Sequence, residues 1–344
     1  MPGGGPSAAR GIKRRSHRTS LLALSAYDDR ATVHEMLEAG VSGYLVKGAS
    51  VDAIVDSINQ AAAGQGSLSV GVTGEVIEEL VGQLIVRRRA DERRQRREAR
   101  VRRALGDDGV VSMVFQPICR LGDREPVGFE ALARFAPPPK RGPERWFAEA
   151  SEVGLRRELE LAAVRLALAG LADVPDGLYL SLNVSPATLA AASFRKLLTG
   201  IDGARIVVEV TEHAPIEDYE RLNKSIERVR ALGVRLAMDD AGAGFASLRH
   251  ILRLEPDFIK LDRTLIHGIE RDRSRQALAA GLISFAEKIE ATIVAEGIER
   301  AAEIEALVAL GVSCGQGFFL ARPKPLPRRN GSARPRRKTL SATR

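Results

Sequence analysis

From about residue 108 the chain repeats one pattern: a short apolar or alternating run, then a longer stretch with apolar residues at helical spacing. The short runs are "SMVFQPI", "VGFEALARF", "LYLSLNV", "RIVVEVTE", "VRLAMDD", "DFIKLD", "ATIVAEG" and "SCGQGFFL", eight candidate strands. Most are separated by candidate helices, among them "LRRELELAAVRLALAGLA", "YERLNKSIERVRALG", "RSRQALAAGLISFAEKIE" and "RAAEIEALVALG". Strands alternating with helices predict a parallel sheet covered on both faces. Eight such units over roughly 220 residues fit a closed (β/α)8 barrel of the TIM type. An open doubly wound sheet is the rival, but it would carry a glycine-rich phosphate turn after its first strand, and none occurs.

In such a barrel the chemistry sits where strands end, and polar residues gather there. Glu130 lies in "FEALARF", Asn183 ends "LYLSLN", and Glu209 and Glu212 fall in "VVEVTE". Asp239 and Asp240 end "LAMDD", Lys260 and Asp262 end "FIKLD", and Glu296 ends "IVAEG" with Glu299 after it. Gln116 and Gln316 come from the first and last runs. Period-two alternation lets Glu209 point into the mouth of the barrel.

Singly, these residues have ordinary explanations. Asp-Asp before glycine suits a turn, "AEG" a helix start, and Lys260 with Asp262 a solvated ion pair. Glu209 and Glu130 are harder to explain so, since each interrupts an apolar run. Together the ordinary explanations fail. Carboxylates crowded in one mouth repel by about 1–4 kcal/mol per close pair, and one lysine does not neutralise them all. Either some stay protonated or cations bind. Carboxylates with one amide favour Mg2+ or Mn2+ over zinc. Two such ions suit hydrolysis of a phosphodiester.

The 344 residues allow one large domain or two ordinary ones, and a hydrophobic content of 44% supports a sizeable core. Cys119 and Cys314 are the only cysteines, which argues against a disulfide scaffold or thiolate zinc site and predicts a reducing, cytoplasmic setting. No apolar run reaches the length of a membrane span. The basic, acid-free N-terminus lacks a secretory core, leaving an organellar presequence as a minor alternative. The net charge of +8 is uneven: residues 1–20 carry +5, 87–103 carry +7 and 324–344 carry +8, so the rest is acidic. Residues 1–20 and 327–344 are expected to be disordered and solvated. A nucleic-acid partner is disfavoured, because these segments lack interleaved aromatics and a recognisable reading helix.

Residues 21–70 predict two strands, "LLALSA" and "SGYLVKGAS", each followed by a helix, the second with Ser50 as N-cap and Gly64 as its stop. The stretch resembles the C-terminal half of a flavodoxin-like response-regulator receiver domain of a two-component system. That resemblance places Ser25 at the hydroxyl switch position, Tyr44 at the aromatic switch and Lys47 at the phosphate-contacting lysine. The family's phosphoacceptor aspartate belongs on an earlier strand, and residues 1–20 contain no acid, so no phosphoacceptor is assigned. The half-domain is expected to be a remnant or a truncated or mis-started frame. Residues 71–107 predict one connector helix with an apolar stripe of Val76, Ile77, Leu80, Val81, Leu84 and Ile85. The stripe serves equally for dimerisation or for packing on its own chain.

The motifs "EALARF", "NVS", "EVTE", "DDAGAGFASL", "IKLD", "VAEGIE" and "GQGFFLARP" resemble, in order, those of the EAL-domain cyclic-di-GMP phosphodiesterases, over residues 108–326. The resemblance implies a bacterial signalling enzyme that opens cyclic di-GMP to linear pGpG with two Mg2+ or Mn2+ ions. By it, Glu130, Asn183, Glu209 and Asp239 hold one metal, and Asp239 and Asp240 hold the second with Glu296 close by. Lys260 positions the attacking water, Glu296 is the candidate general base, and Asp262 supports Lys260. Gln316 contacts water or phosphate; Gln116, Leu132 and Arg134 line the substrate groove; Glu212 and Glu299 steady the loop that begins at Asp239. A homodimer through the connector helix and barrel is a further expectation. Ala241, Ala243, Phe245 and Ala246 depart from the commoner Phe, Thr, Tyr and Ser of that loop, while Gly242 and Gly244 still permit a tight turn. The alternatives are a catalytically weak receptor for cyclic di-GMP and, behind it, a nucleic-acid-binding regulator.

Overall fold

The computed structural model describes every residue except 1–3, 28, 69, 107–109, 137–140, 212–215, 217, 242–244 and 328–344. The chain divides into two compact units, Met1–Gln95 and Arg96–Arg344.

The first unit holds three parallel strands in the order β1 (Leu22–Ser25), β2 (Gly43–Val46) and β3 (Ser67–Leu68). The helices Arg30–Glu38 and Val51–Ala62 connect them. Ser50 is the N-cap of the second, accepting the Ala53 N–H at 3.2 Å, and Gly64 follows its end with φ +76°. The expectation of disorder over residues 1–20 is corrected: Gly4–Arg15 is a helix. Its Ala9 joins a small core with Ala23, Val33, Ala39, Val41 and Tyr44. Its cations Lys13, Arg14 and Arg15 fall in the last turn, where they complement the negative helix end. Tyr44 is fully buried and donates to the Tyr27 carbonyl at 2.7 Å. Ser25 Oγ accepts from the Tyr27 N–H at 3.2 Å, and the exposed Lys47 donates its N–H to the Ser25 carbonyl at 2.6 Å.

The connector is one helix, Val70–Gly106. The side chains of the stripe from Val76 to Ile85 lie outside the described residues. The unit boundary falls inside this helix, not at its end. Val101 and Ala104 are buried with Val110, Trp146, Ala150 and Leu159, and Arg100 donates to Glu149 Oε2 at 2.7 and 3.0 Å.

The second unit is a closed eight-stranded barrel. Its strands are β4 (Val111–Arg120), β5 (Pro126–Phe135), β6 (Tyr179–Asn183), β7 (Ile206–Thr211), β8 (Arg235–Ala241), β9 (Phe258–Leu261), β10 (Thr292–Ala295) and β11 (Cys314–Gly315). They close in the order β10-β11-β4-β5-β6-β7-β8-β9. One detail departs from the all-parallel expectation: β4 runs antiparallel to both β5 and β11. The reason is local. Only residues 121–125 join β4 to β5, and a parallel crossover needs about a dozen or more.

Along each strand, alternate residues divide the work. Ile206, Val208, Val210, Leu236, Met238, Ile259 and Leu261 join the large core that includes the surrounding helices. Ile118, Tyr179, Val207, Ala237, Phe258 and Val294 form a separate apolar plug. Glu209 lies two residues beyond Val207, and Lys260 two beyond Phe258. Period two therefore puts the charged groups on the plug-bearing face, at the C-terminal ends of the strands. On the reversed β4, Gln116 precedes Ile118 and reaches the same end.

Candidate active site

Lys260 organises the mouth. It is 2% exposed, and its Nζ lies 2.7 Å from Glu209 Oε2, 2.7 Å from Glu296 Oε1, 3.2 Å from Asp239 Oδ1 and 3.6 Å from Glu130 Oε2. Four carboxylates from β5, β7, β8 and the end of β10 thus converge on one ammonium. Register explains the convergence. Asn183 pairs with Glu209 across β6 and β7, and Thr211 with Asp239 across β7 and β8. Lys260 pairs with Val294, and the Glu296 N–H continues the ladder by donating to the Leu261 carbonyl at 3.1 Å.

Asp239 and Asp240 are adjacent, so a regular strand would send them to opposite faces. A bulge prevents this. Met238 pairs with Ile259 and Ala241 with Leu261, so β8 holds one residue more than β9 between these pairs. Asp240 adopts the left-handed conformation, φ +59°, which Asp and Asn tolerate better than most residues. Asp239, Asp240 and Glu296 consequently bring one oxygen each to within 4.8 Å of one another.

Neutral donors hold the two deepest glutamates. Glu130 Oε1 accepts from Asn183 Nδ2 at 2.7 Å and its Oε2 from Gln316 Nε2 at 2.7 Å. Gln316 Nε2 also reaches Gln116 Oε1 at 2.9 Å, and Gln116 donates to the Ala321 carbonyl at 2.9 Å. Glu209 Oε1 accepts from Ser181 Oγ at 2.5 Å.

The electrostatics follow from burial. Burial, reinforced by the Glu130 charge, pushes the Glu209 carboxyl up to about 8. Burial also pushes Glu296 well above the ordinary carboxylate range. For Glu130, burial is outweighed by the Lys260 ammonium and the hydrogen bonds from Gln316 and Asn183, which leave its carboxyl below the ordinary value. Burial opposes the charge on Lys260, but Asp239, Glu130, Glu209 and Glu296 hold it well above its usual range. The centre is therefore short of positive charge. Its donors fit a hard divalent cation: they are all oxygen, and Asp239 Oδ1 is buried without a hydrogen-bond partner, its approach to Lys260 being purely ionic.

Most of the expected residues meet here: Glu130, Asn183, Glu209, Asp239, Asp240, Lys260, Glu296, Gln116 and Gln316. Leu132 and Arg134 continue the Glu130 face toward the end of β5, where Arg134 donates to the Ala133 carbonyl at 2.9 Å. Asp262 does something other than expected. Its carboxylate caps the helix Arg263–Ile266, accepting the Thr264 N–H at 2.8 Å and bonding the Thr264 hydroxyl. Glu212, Gly242, Ala243 and Gly244 lie outside the described residues, as do the side chains of Phe245 and Ala246. Glu299 is exposed.

Two residues were missed. Glu303 is fully buried and accepts the N–H groups of Gly268, Glu299 and Arg300 at 3.1, 2.8 and 3.0 Å, clasping the segments after β9 and β10 together. Glu160 is buried and accepts the N–H and hydroxyl of Ser185 at 3.1 and 2.7 Å, fixing the turn after Asn183. The available signal was weak: a glutamate inside an apolar helical stretch reads as solvent-facing until the neighbouring loop is known.

Comparison with known proteins agrees with this geometry. Residues 98–323 match the family model of the EAL domain. The chain is 33% identical over 237 residues to an uncharacterized signaling protein of Caulobacter vibrioides, covering 66% of this chain and 29% of that protein. It is 32% identical over 241 residues to the cyclic di-GMP phosphodiesterase NbdA of Pseudomonas aeruginosa, covering 67% and 31%. The chain thus spans under a third of the length of these relatives. Among solved structures, the calcium and cy-diGMP complex of Klebsiella pneumoniae BlrP1 aligns with a TM-score of 0.56 at 29% identity, over 62% of this chain and 56% of that one. With two thirds of its length matched by the family model and the motif residues gathered in one barrel mouth, this chain belongs to the EAL-domain family.

Proposed function

We propose that the barrel hydrolyses cyclic di-GMP to linear pGpG with two Mg2+ or Mn2+ ions. The observation that carries this reading is the bulge that sets Asp239 and Asp240 beside Glu296, against a buried lysine with four carboxylate neighbours. The matches to NbdA and to the cy-diGMP complex of BlrP1 support the substrate class. Glu130, Asn183, Glu209 and Asp239 would hold one ion, and Asp239 and Asp240 the other with Glu296. Bound there, such ions lower the pKa of water and screen phosphate charge. The residues of the chain do the rest. Lys260 orients the attacking water and Glu296 takes its proton. Gln316, Gln116, Leu132 and Arg134 hold the substrate. The water oxygen joins phosphorus, one P–O ester bond breaks, and the released oxygen takes up a proton as the ring opens.

We also propose that the first unit is receiver-like, that the long helix is a dimer contact and that the protein is cytoplasmic. Among the described residues no helix is long and apolar enough to cross a membrane. The test uses the full chain with cyclic di-GMP and Mg2+ or Mn2+, with products separated by chromatography. Linear pGpG is expected from the parent chain, with a loss of about 100-fold or more in Asp239→Asn and Glu130→Ala. Nucleotide binding without cleavage would instead make the protein a receptor.

A further inference from the structure

We infer that Ser181 is a positioning residue for the Glu209 carboxylate and thereby sets the affinity of the site for its cation. This rests on the proposed role of Glu209 as a metal ligand.

Ser181 stands in the lumen at the boundary between the apolar plug and the charged mouth. It faces Glu130 across β5 and β6 and lies two residues below Asn183 on the same face of β6. It is 1% exposed. The plug beneath it is built from Tyr179, Val207, Ala237, Phe258 and Val294. Lumen layers of this kind are usually filled by branched apolar side chains, so a hydroxyl at this depth needs a partner. Its partner is Glu209 Oε1, at 2.5 Å. The other oxygen, Oε2, faces Lys260 at 2.7 Å.

The two bonds divide the carboxylate's labour. The hydroxyl pins one oxygen to the lumen floor, which stops the group rotating and leaves the other oxygen on the side of Lys260, Asp239 and Glu296. Glu130 is held in the same manner by Asn183 and Gln316. Glu209 has no comparable neutral donor among the described residues except Ser181. Groups that hydrogen-bond metal-ligating carboxylates typically change metal affinity by about 10–100-fold when removed.

The test titrates the full chain with Mn2+ alone, followed by calorimetry and by the electron paramagnetic resonance signal of free Mn2+. Ser181→Ala is expected to weaken Mn2+ binding by about 10-fold or more. Ser181→Thr, which keeps the hydroxyl, is expected to stay within about threefold of the parent. If Ser181→Ala does not fold, Ser181→Cys replaces it; its weak donor is expected to weaken binding as well. Melting curves in chelator separate the two roles, since a merely structural serine moves the melting temperature and leaves Mn2+ affinity alone. Unchanged Mn2+ affinity in the alanine or cysteine variant overturns the inference, as does a threonine variant that falls as far as alanine. If the parent binds Mn2+ and the variants match it, only the role of Ser181 is lost. A parent chain that binds no Mn2+ removes the proposed function as well.

Discussion

Lys260 carries one charge against the four carboxylates around it, and removing it leaves them buried without a cation. Breaking a buried pair by deleting one partner costs about 3–5 kcal/mol. Lys260→Met is therefore expected to destabilise the metal-free chain by about that amount in urea denaturation, with part of the loss restored by Mn2+. A variant as stable as the parent without metal would show that the carboxylates had neutralised themselves by protonation. The residues legible from sequence were those that break an apolar strand. Glu130, Glu209 and Lys260 each do so, and alternation then leaves them one place to go. Asp262 was less legible because the strand ends at Leu261, so alternation stops one residue before it and capping takes over.

At the scale of the element, the β8 bulge and the helix Ala301–Ala309 decide how the site is assembled. The left-handed backbone at Asp240 suits Asp and Asn but strains a β-branched residue. Asp240→Asn should melt within about 2 °C of the parent, whereas Asp240→Val should lose about 1–3 kcal/mol. Both should lose cation affinity, which thermal melts with and without Mn2+ would separate from the strain. Glu303 sits in the first turn of that helix, and Glu303→Ala leaves three backbone N–H groups without their acceptor. A loss of about 2–4 kcal/mol is expected in denaturant. Burial would raise the Glu303 carboxyl, but the N–H groups of Glu299 and Gly268 and the Arg300 side chain outweigh it and hold it below its ordinary value. Its contribution is thus complete above the unfolded pKa, about 4.3, and disappears as pH falls through the lower folded value. Glu303→Gln should flatten the acid limb of the stability curve, measured by melting between about pH 5 and pH 3.

At the scale of the molecule, the boundary inside the connector helix has a measurable consequence. Residues 96–106 supply Val101, Ala104 and Arg100 to the barrel unit. A fragment of residues 96–327 should unfold cooperatively. One of residues 107–327 should lose about 2–4 kcal/mol, from the apolar area re-exposed and from Glu149 left with Arg141 alone as its described ion-pair partner. Equal stability of the two fragments would place the boundary at the helix end instead.

Hydrophobic period by itself determined the eight barrel strands, the helices between them, and the end of the barrel at which the charges would gather. These follow from local rules, because a strand repeats every two residues and a helix every 3.6. The antiparallel β4 follows from the five-residue link to β5, a local limit that the repeating pattern does not state; tertiary structure alone decided the bulge that turns Asp240 toward Asp239 and Glu296, and the partners of Ser181, Glu160 and Glu303. The bulge and these partners depend on neighbours distant in sequence: the β9 register defines the bulge, and a buried hydroxyl or carboxylate is explained only by the groups it meets. The pattern of a segment states which face is buried and does not state what waits on the other side.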